Sequence, residues 1–432
     1  MVNLTENMIE GKENLIDDDA HILLNLKSFS FSIAINKLNS ITFDLEGRML
    51  GAFLNGRNYR RGLDNRVLKK WSAYENKRRR RFREIISVKE RENLFQLIQY
   101  ILNKISSNKK TLQFEIPGDT KRTWQLLEEC LKFDSTRLKE DAERFKEIYK
   151  PVSILPPDQY YSLVLQITEG CSYNKCTFCN FYNDRLFRIK NVEQVERHIQ
   201  DVNKYFGAGL LLRKSIFLAD ANALIISQNK LLEILRRIHT NYTIVADESR
   251  SREILERRRE GEIIFNGIYS FIDLFTGEYK SRREFQEMAE LGVKRVYIGM
   301  ESGSESLLDF LNKPGSQEEM VSAVNKIKSA GIDVGVIVLI GAGGEKYFET
   351  HINDTIHVLN QMHLDKNDFI YFSEYYPQGD TEYVETIEKE RIVPLGYEKM
   401  EQQKSKIKEG LNLTEYSSPP KISEYDIREF LY

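Results

Sequence analysis

The strongest constraint on the fold is a rhythm in the middle of this 432-residue chain, where short apolar runs alternate with longer segments of helical period. The runs are "YSLVLQI" (161–167), "SIFLA" (215–219), "IYSFI" (268–272), "RVYIGM" (295–300), "VGVIVLI" (334–340) and "FIYFS" (369–373). Between them, segments 191–206, 228–238, 281–291, 316–330 and 346–363 space apolar residues at three and four, as a helix with one buried face requires. Strand and helix in alternation build a parallel sheet covered by helices, an α/β fold. Six units fall short of the eight that close a full barrel, so the expected form is an open or partial (β/α)6 arrangement. The charged stretch "DESRSREILERRREGE" (247–262) interrupts the rhythm and reads as a surface helix.

Ahead of this core the pattern is different. Residues 1–25 are an acidic, polar lead-in, and "NSITFDLEGRMLGAFLNGRNYRRGL" (39–63) sets the turn pairs Glu46-Gly47 and Asn55-Gly56 among short apolar runs, the mark of a small β-meander. From about 65 to 149 the spacing turns helical, as in "ERENLFQLIQYILNKI" and "TWQLLEECLKF", and "KPVSILPPDQY" (150–160) reads as a linker. The expected domains are a mainly helical N-terminal accessory domain (1–155), the α/β core (156–380) and a helical C-terminal extension (381–432). Charged residues at 30%, hydrophobic residues at 41% and a net charge of −2 are those of an ordinary globular protein. The N-terminus lacks a basic region followed by an apolar one. The most apolar stretch, "VGVIVLIGAG" (334–343), is about half the length of a membrane span. A cytoplasmic protein with no membrane partner and with reduced thiols is expected.

Cysteine usage sharpens the reading. Of four cysteines, Cys171, Cys176 and Cys179 crowd into "ITEGCSYNKCTFCNFY" (167–182). Three thiolates this close can converge on one soft metal centre. Zinc asks for a fourth ligand, but Cys130 lies across the linker, at helical spacing among leucines as a small core residue, and the nearest downstream histidine is His198. An iron–sulfur cube held by three cysteines leaves one iron open to a cofactor that chelates through amino and carboxylate groups. Spacing alone leaves both readings standing.

The stretch "GCSYNKCTFC" resembles the signature loop of the radical S-adenosylmethionine (SAM) superfamily, in which three cysteines hold a 4Fe-4S cluster and an aromatic residue precedes the last cysteine, as Phe178 does here. The common spacing has three residues between the first two cysteines, and this chain has four. The likeness covers about 160–380, including "ESGSESLLDFLNKPG", and points to the branch with the Elongator catalytic subunit, methylthiotransferases and oxygen-independent coproporphyrinogen oxidases. It implies a TIM-like radical SAM barrel with its site at the carboxyl ends of the strands. Cys171, Cys176 and Cys179 become the cluster ligands, and Phe178 packs beside the cofactor. Asp220 and Asn222 of "ADANAL" (219–224) meet the methionine amino group, and Glu301 and Ser302 of "GMESGSES" (299–306) the ribose and carboxylate. Gly341 and Gly343 of "GAGGE" (341–345) let backbone approach the adenine. Each motif alone reads equally well as a turn or helix cap; their order on successive strands joins them.

The implied chemistry is one-electron cleavage of SAM to methionine and a 5′-deoxyadenosyl radical that abstracts hydrogen. It calls for a flavodoxin- or ferredoxin-like electron donor and an oxygen-sensitive cluster. The resemblance assigns no catalytic side chain beyond the cofactor ligands. With only Cys130 left over, a second cysteine-held cluster, and with it sulfur insertion, is not expected. His351, His357 and His363 stand six apart, which turns them onto different helix faces and argues against a metal site. Segment 57–83 holds twelve Lys/Arg against two acids, with Tyr59, Trp71 and Tyr74 interleaved. It reads either as a face for RNA or as a solvated basic surface. Three functions follow: a radical enzyme for a small metabolite or peptide, a radical enzyme that modifies RNA or tRNA, and a non-catalytic zinc protein.

Overall fold

The computed structural model describes residues 15–17, 19–75, 78–377, 379, 381–413 and 418–432. Strands β1 (His21–Leu26), β2 (Phe31–Ile35), β3 (Asn39–Phe43), β4 (Met49–Leu54), β5 (Arg57–Arg61), β6 (Val67–Glu75) and β7 (Arg78–Ile85) pair antiparallel, each with its neighbour in sequence. An eighth strand, β8 (Gln113–Glu115), adds parallel to β1. Period-two patterning drives the sheet: in β2, Phe31, Ile33 and Ile35 are buried and the residues between them only half so. The apolar stripe of α1 (Val88–Ser107), including Leu94, Ile98 and Ile105, packs in the same core, and Ser87 caps this helix by accepting the Glu90 N–H.

This region departs from expectation. In place of a small meander and a mainly helical unit there is an eight-stranded sheet with three helices, α1, α2 (Thr120–Lys132) and α3 (Ser135–Ile148). The hairpin β6–β7 fills the stretch from 67 to 85 that read as helical. Its run of lysines and arginines hides the strand alternation, while Trp71 and Phe82, opposite each other in register, stack at 5.5 Å. The basic segment is also largely committed. Tyr59 is 2% exposed in the core, Lys69 bonds Glu90 at 2.8 Å, Lys70 bonds Glu429 at 3.0 Å, and Arg61 approaches Asp141 to 3.5 Å. Tyr74 is exposed, and Lys77 lies outside the described residues.

The core sheet is parallel throughout. Its strands β9 (Ser162–Gln166), β10 (Ser215–Ala219), β11 (Ile268–Ile272), β12 (Val293–Glu301), β13 (Asp333–Ile340) and β14 (Phe369–Glu374) lie side by side in chain order and coincide with the six apolar runs. Helices α4 (Val192–Phe206), α5 (Gln228–Asn241), α6 (Arg282–Glu290), α7 (Glu305–Phe310), α8 (Gln317–Ser329) and α9 (Phe348–Asn360) fall in the intervals between these strands. Capping boxes start α4, α6 and α8, at Asn191/Gln194, Ser281/Glu284 and Ser316/Glu319. The charged interruption is a short helix, Ser251–Arg259. Inside the sheet, Gly335 makes room for the ring of Tyr297, since a Cβ there would stand 2.4 Å from it.

The C-terminal part is more than a helical extension. After α10 (Glu382–Lys389) and α11 (Tyr397–Gly410), strand β15 (Lys421–Glu424) joins parallel to β14 as a seventh strand. The following residues return to the first strand, where the Tyr432 hydroxyl accepts the Val164 N–H at 2.9 Å. The four residues of β15, "KISE", hold a single apolar side chain and so gave no apolar run to read. Both parts meet at buried Arg48, which pairs with Asp44 (3.1 Å) and with Asp141 of α3 (3.0 Å) and lies over the Tyr205 ring of α4.

Candidate active site

At the carboxyl ends of the parallel strands lies a cavity of about 220 Å³, to whose wall six strands in turn contribute. Cys171 follows β9, Asn222 follows β10, Asp273 follows β11, Glu301 ends β12, Leu339 is near the end of β13 and Tyr375 follows β14. Cys171, Cys176 and Cys179 all face this cavity, with Phe178 between the last two.

Neighbouring elements hold the cysteine loop at both ends. Gly170 takes a left-handed turn (φ +78°) and donates its N–H to Asp220 Oδ2 at 2.8 Å. The four-residue spacer is fastened to Asn312: the Tyr173 hydroxyl donates to its carbonyl oxygen (3.0 Å), and Asn312 Nδ2 donates to the Lys175 carbonyl (2.8 Å). Further on, the Thr177 N–H reaches the Leu311 carbonyl (3.0 Å), and its own carbonyl takes the Tyr383 N–H of α10 (3.1 Å). The unusual spacing is thus built into the packing.

Burial raises the Cys176 thiol to about 11 and the Cys179 thiol to about 12, against the pull of the Lys313 ammonium toward thiolate. Both thiols keep their protons at neutral pH unless a metal displaces them. Among the described residues, the group whose three ligand atoms all lie within 4.8 Å of one another is Asp333, Asp365 and Asp368; the cysteine sulfurs do not meet that limit together. The aspartate trio already surrounds the Lys328 ammonium, at 2.8 Å from Asp368 and 2.9 Å from Asp365.

Of the other candidate residues, Phe178, Asn222 and Glu301 reach the cavity. Asn222 is buried; its Nδ2 donates to Thr276 Oγ1 at 2.8 Å, while its Oδ1 has no partner. Glu301 has φ +60° at a register break in β12 and pairs with Lys313 at 3.2 Å.

Four candidates are elsewhere. Asp220 is engaged behind the loop, accepting from Gly170, from Gln166 Nε2 (2.9 Å) and from Arg185 (3.2 Å). Ser302 faces the helix layer, bonded to His351 Nδ1 at 2.7 Å. The Gly341 and Gly343 amides are taken by Gln403 Oε1 and the Tyr383 hydroxyl, both at 2.8 Å, so neither is open to a base. Here α10 and α11 cover the turn that the strand-five motif was expected to present. Lys313, Asp273 and Tyr375 escaped the sequence reading. Lys313 stood in "NKPG" without a periodic or motif signal; only the fold brings it beside the cysteines.

A parallel α/β sheet with a three-cysteine loop after its first strand defines a class of protein, and comparison with known families names it. Residues 165–357 match the radical SAM superfamily, and the chain carries a radical SAM domain, whose cofactors are a 4Fe-4S cluster and SAM. It is similar to 4′-phospho-dehydrooxetanocin synthase of Priestia megaterium, 24% identical over 184 residues, which cover 40% of this chain and 23% of that protein. Among solved structures it resembles the cobalamin-dependent SAM radical enzyme OxsB with aqua-cobalamin and SAM bound (TM-score 0.36, 15% identity, 75% of this chain and 48% of that one). It also resembles coproporphyrinogen III oxidase (HemN) of Escherichia coli (TM-score 0.35, 12% identity, 57% and 50%). The chain spans about a quarter of the length of the curated relative and about half that of these structures. No described helix is long and apolar enough to cross a membrane.

Proposed function

We propose that the chain is a radical SAM enzyme that cleaves SAM reductively at a cluster held by Cys171, Cys176 and Cys179 and acts on a small-molecule or peptide substrate. One observation carries this reading: three thiols share a cavity with an unpartnered carbonyl oxygen, Asn222 Oδ1, and with the Lys313 ammonium, one group for each end of an amino-acid chelate. When bound, the cluster and SAM supply the electron and the carbon–sulfur bond cleavage that yields a 5′-deoxyadenosyl radical. The protein's residues bind and shield. Asn222 Oδ1 accepts an N–H of the methionine amino group, Lys313 faces the carboxylate, and the Glu301 oxygen not engaged by Lys313 is free for a ribose hydroxyl. Phe178, Phe271, Ile337 and Leu339 line the cavity with apolar surface that keeps water out. Electrons come from a flavodoxin- or ferredoxin-like donor.

Anaerobic reconstitution with iron and sulfide tests the reading. The protein should turn brown and release 5′-deoxyadenosine from SAM under reductant, and Cys176→Ala should lose both properties. A colourless protein carrying one equivalent of zinc would overturn it.

A further inference from the structure

A second cleft, of about 1000 Å³, lies between the N-terminal sheet and the core. It adjoins the site described above: Asn180, Phe181, Tyr376 and Ile427 line both spaces. Its walls come from β7, from the end of α3 and the linker after it, from the chain beyond the cysteine loop, and from the C-terminal residues.

Six cations, Arg66, Arg83, Lys146, Lys150, Arg185 and Arg428, face this cleft against three acids, Asp64, Glu84 and Asp184. Some of these charges are already matched. Arg66 is held by Asp64, and Arg185 by Asp184 (2.8 Å) and Asp220 (3.2 Å). Arg83 meets Asp426 and Glu429, and Arg428 meets Asp426 and, at 4.0 Å, Glu374, while Glu429 also serves Lys70. The two lysines are less matched. Among the described residues, Lys146 pairs only with Glu143, whose side chain is 69% exposed, and Lys150 makes no ion pair. The lining therefore carries more cations than acids, drawn from separate segments around one cleft, whose walls focus its field. Between the cations, Tyr149, Ile85 and Phe430 offer apolar surface.

We propose that this cleft is the second half of the substrate site and binds a multiply charged anion, a phosphate or diphosphate group on a small molecule whose other end enters the cavity. The proposal rests on reading that cavity as the reaction site. Cations on several walls suit an anion with oxygens in several directions better than a single carboxylate. The volume lies at the upper end of the small-molecule range, about 300–1,000 Å³, and not at the scale of a nucleic-acid helix.

Calorimetric titration of the anaerobically reconstituted full chain with inorganic pyrophosphate tests it. One equivalent should bind at low salt, and Lys146→Glu with Lys150→Glu, two exposed positions, should weaken binding tenfold or more without changing the melting curve. Lys150→Arg should retain it. Cys176→Ala should lose the cluster yet still bind pyrophosphate, which separates failure of the cleft from failure of the radical reading. Absence of binding at low salt, or equal binding by the charge-reversed variant, overturns the proposal. So does displacement of pyrophosphate by tRNA with a steep salt dependence, which would assign the cleft to RNA.

Discussion

Asn222 shows what one residue reveals when each polar atom is followed to a partner. Its nitrogen is satisfied and its oxygen is not, and a buried acceptor without a donor costs about 1–3 kcal/mol. A ligand N–H recovers that energy, so Asn222→Ala should weaken SAM binding by about tenfold or more in equilibrium dialysis, with iron content unchanged. The motif "ADANAL" named both Asp220 and Asn222; only side-chain geometry separates the one that holds the loop from the one that faces the cavity. Buried histidines give a second test at this scale. Burial holds His198 at about 3 and His351 at about 4, well below the ordinary value of about 6.5. Both stay neutral in the fold but take up protons once unfolded, so stability is full above pH 6.5 and falls as pH drops toward 4. His351→Gln should flatten part of this acid limb in urea titrations, by up to about 3 kcal/mol near pH 4.

Among the elements, the cysteine loop depends on a helix end far from it in sequence. Asn312, at φ +48°, links Tyr173 and Lys175 to the turn that carries Lys313. Asn312→Ala removes the Nδ2 bond to the Lys175 carbonyl, the Oδ1 acceptor 3.1 Å from the Tyr173 hydroxyl and a residue suited to left-handed backbone, for a local loss of about 1–2 kcal/mol. Its expected mark is faster iron loss to a chelator, with the thermal midpoint little changed because the site is exposed. The loop itself was legible because cysteine spacing survives any packing. The latch was not, since nothing in "LLDFLNKPG" announces a partner 137 residues away. The β6–β7 hairpin failed to read for a related reason: four arginines in succession leave no apolar period to count.

For the whole molecule, closure falls to the last residues. The Tyr432 hydroxyl oxygen accepts the Val164 N–H of the first core strand, and its carbonyl accepts the Leu63 N–H of the N-terminal part. Tyr432→Phe leaves a buried amide unpaired and should destabilise the chain by about 1–3 kcal/mol in chemical denaturation. The sequence by itself determined the six core strands, the helices between them and the three clustered thiols, because strand and helix periods and ligand spacing are local properties. Tertiary structure alone decided the seventh strand, the place of Lys313, the closing of the Gly341 and Gly343 amides, and the cleft between the two sheets. Each of these depends on groups far apart in the chain, whose approach is set by burial of the shared core and not by any short pattern.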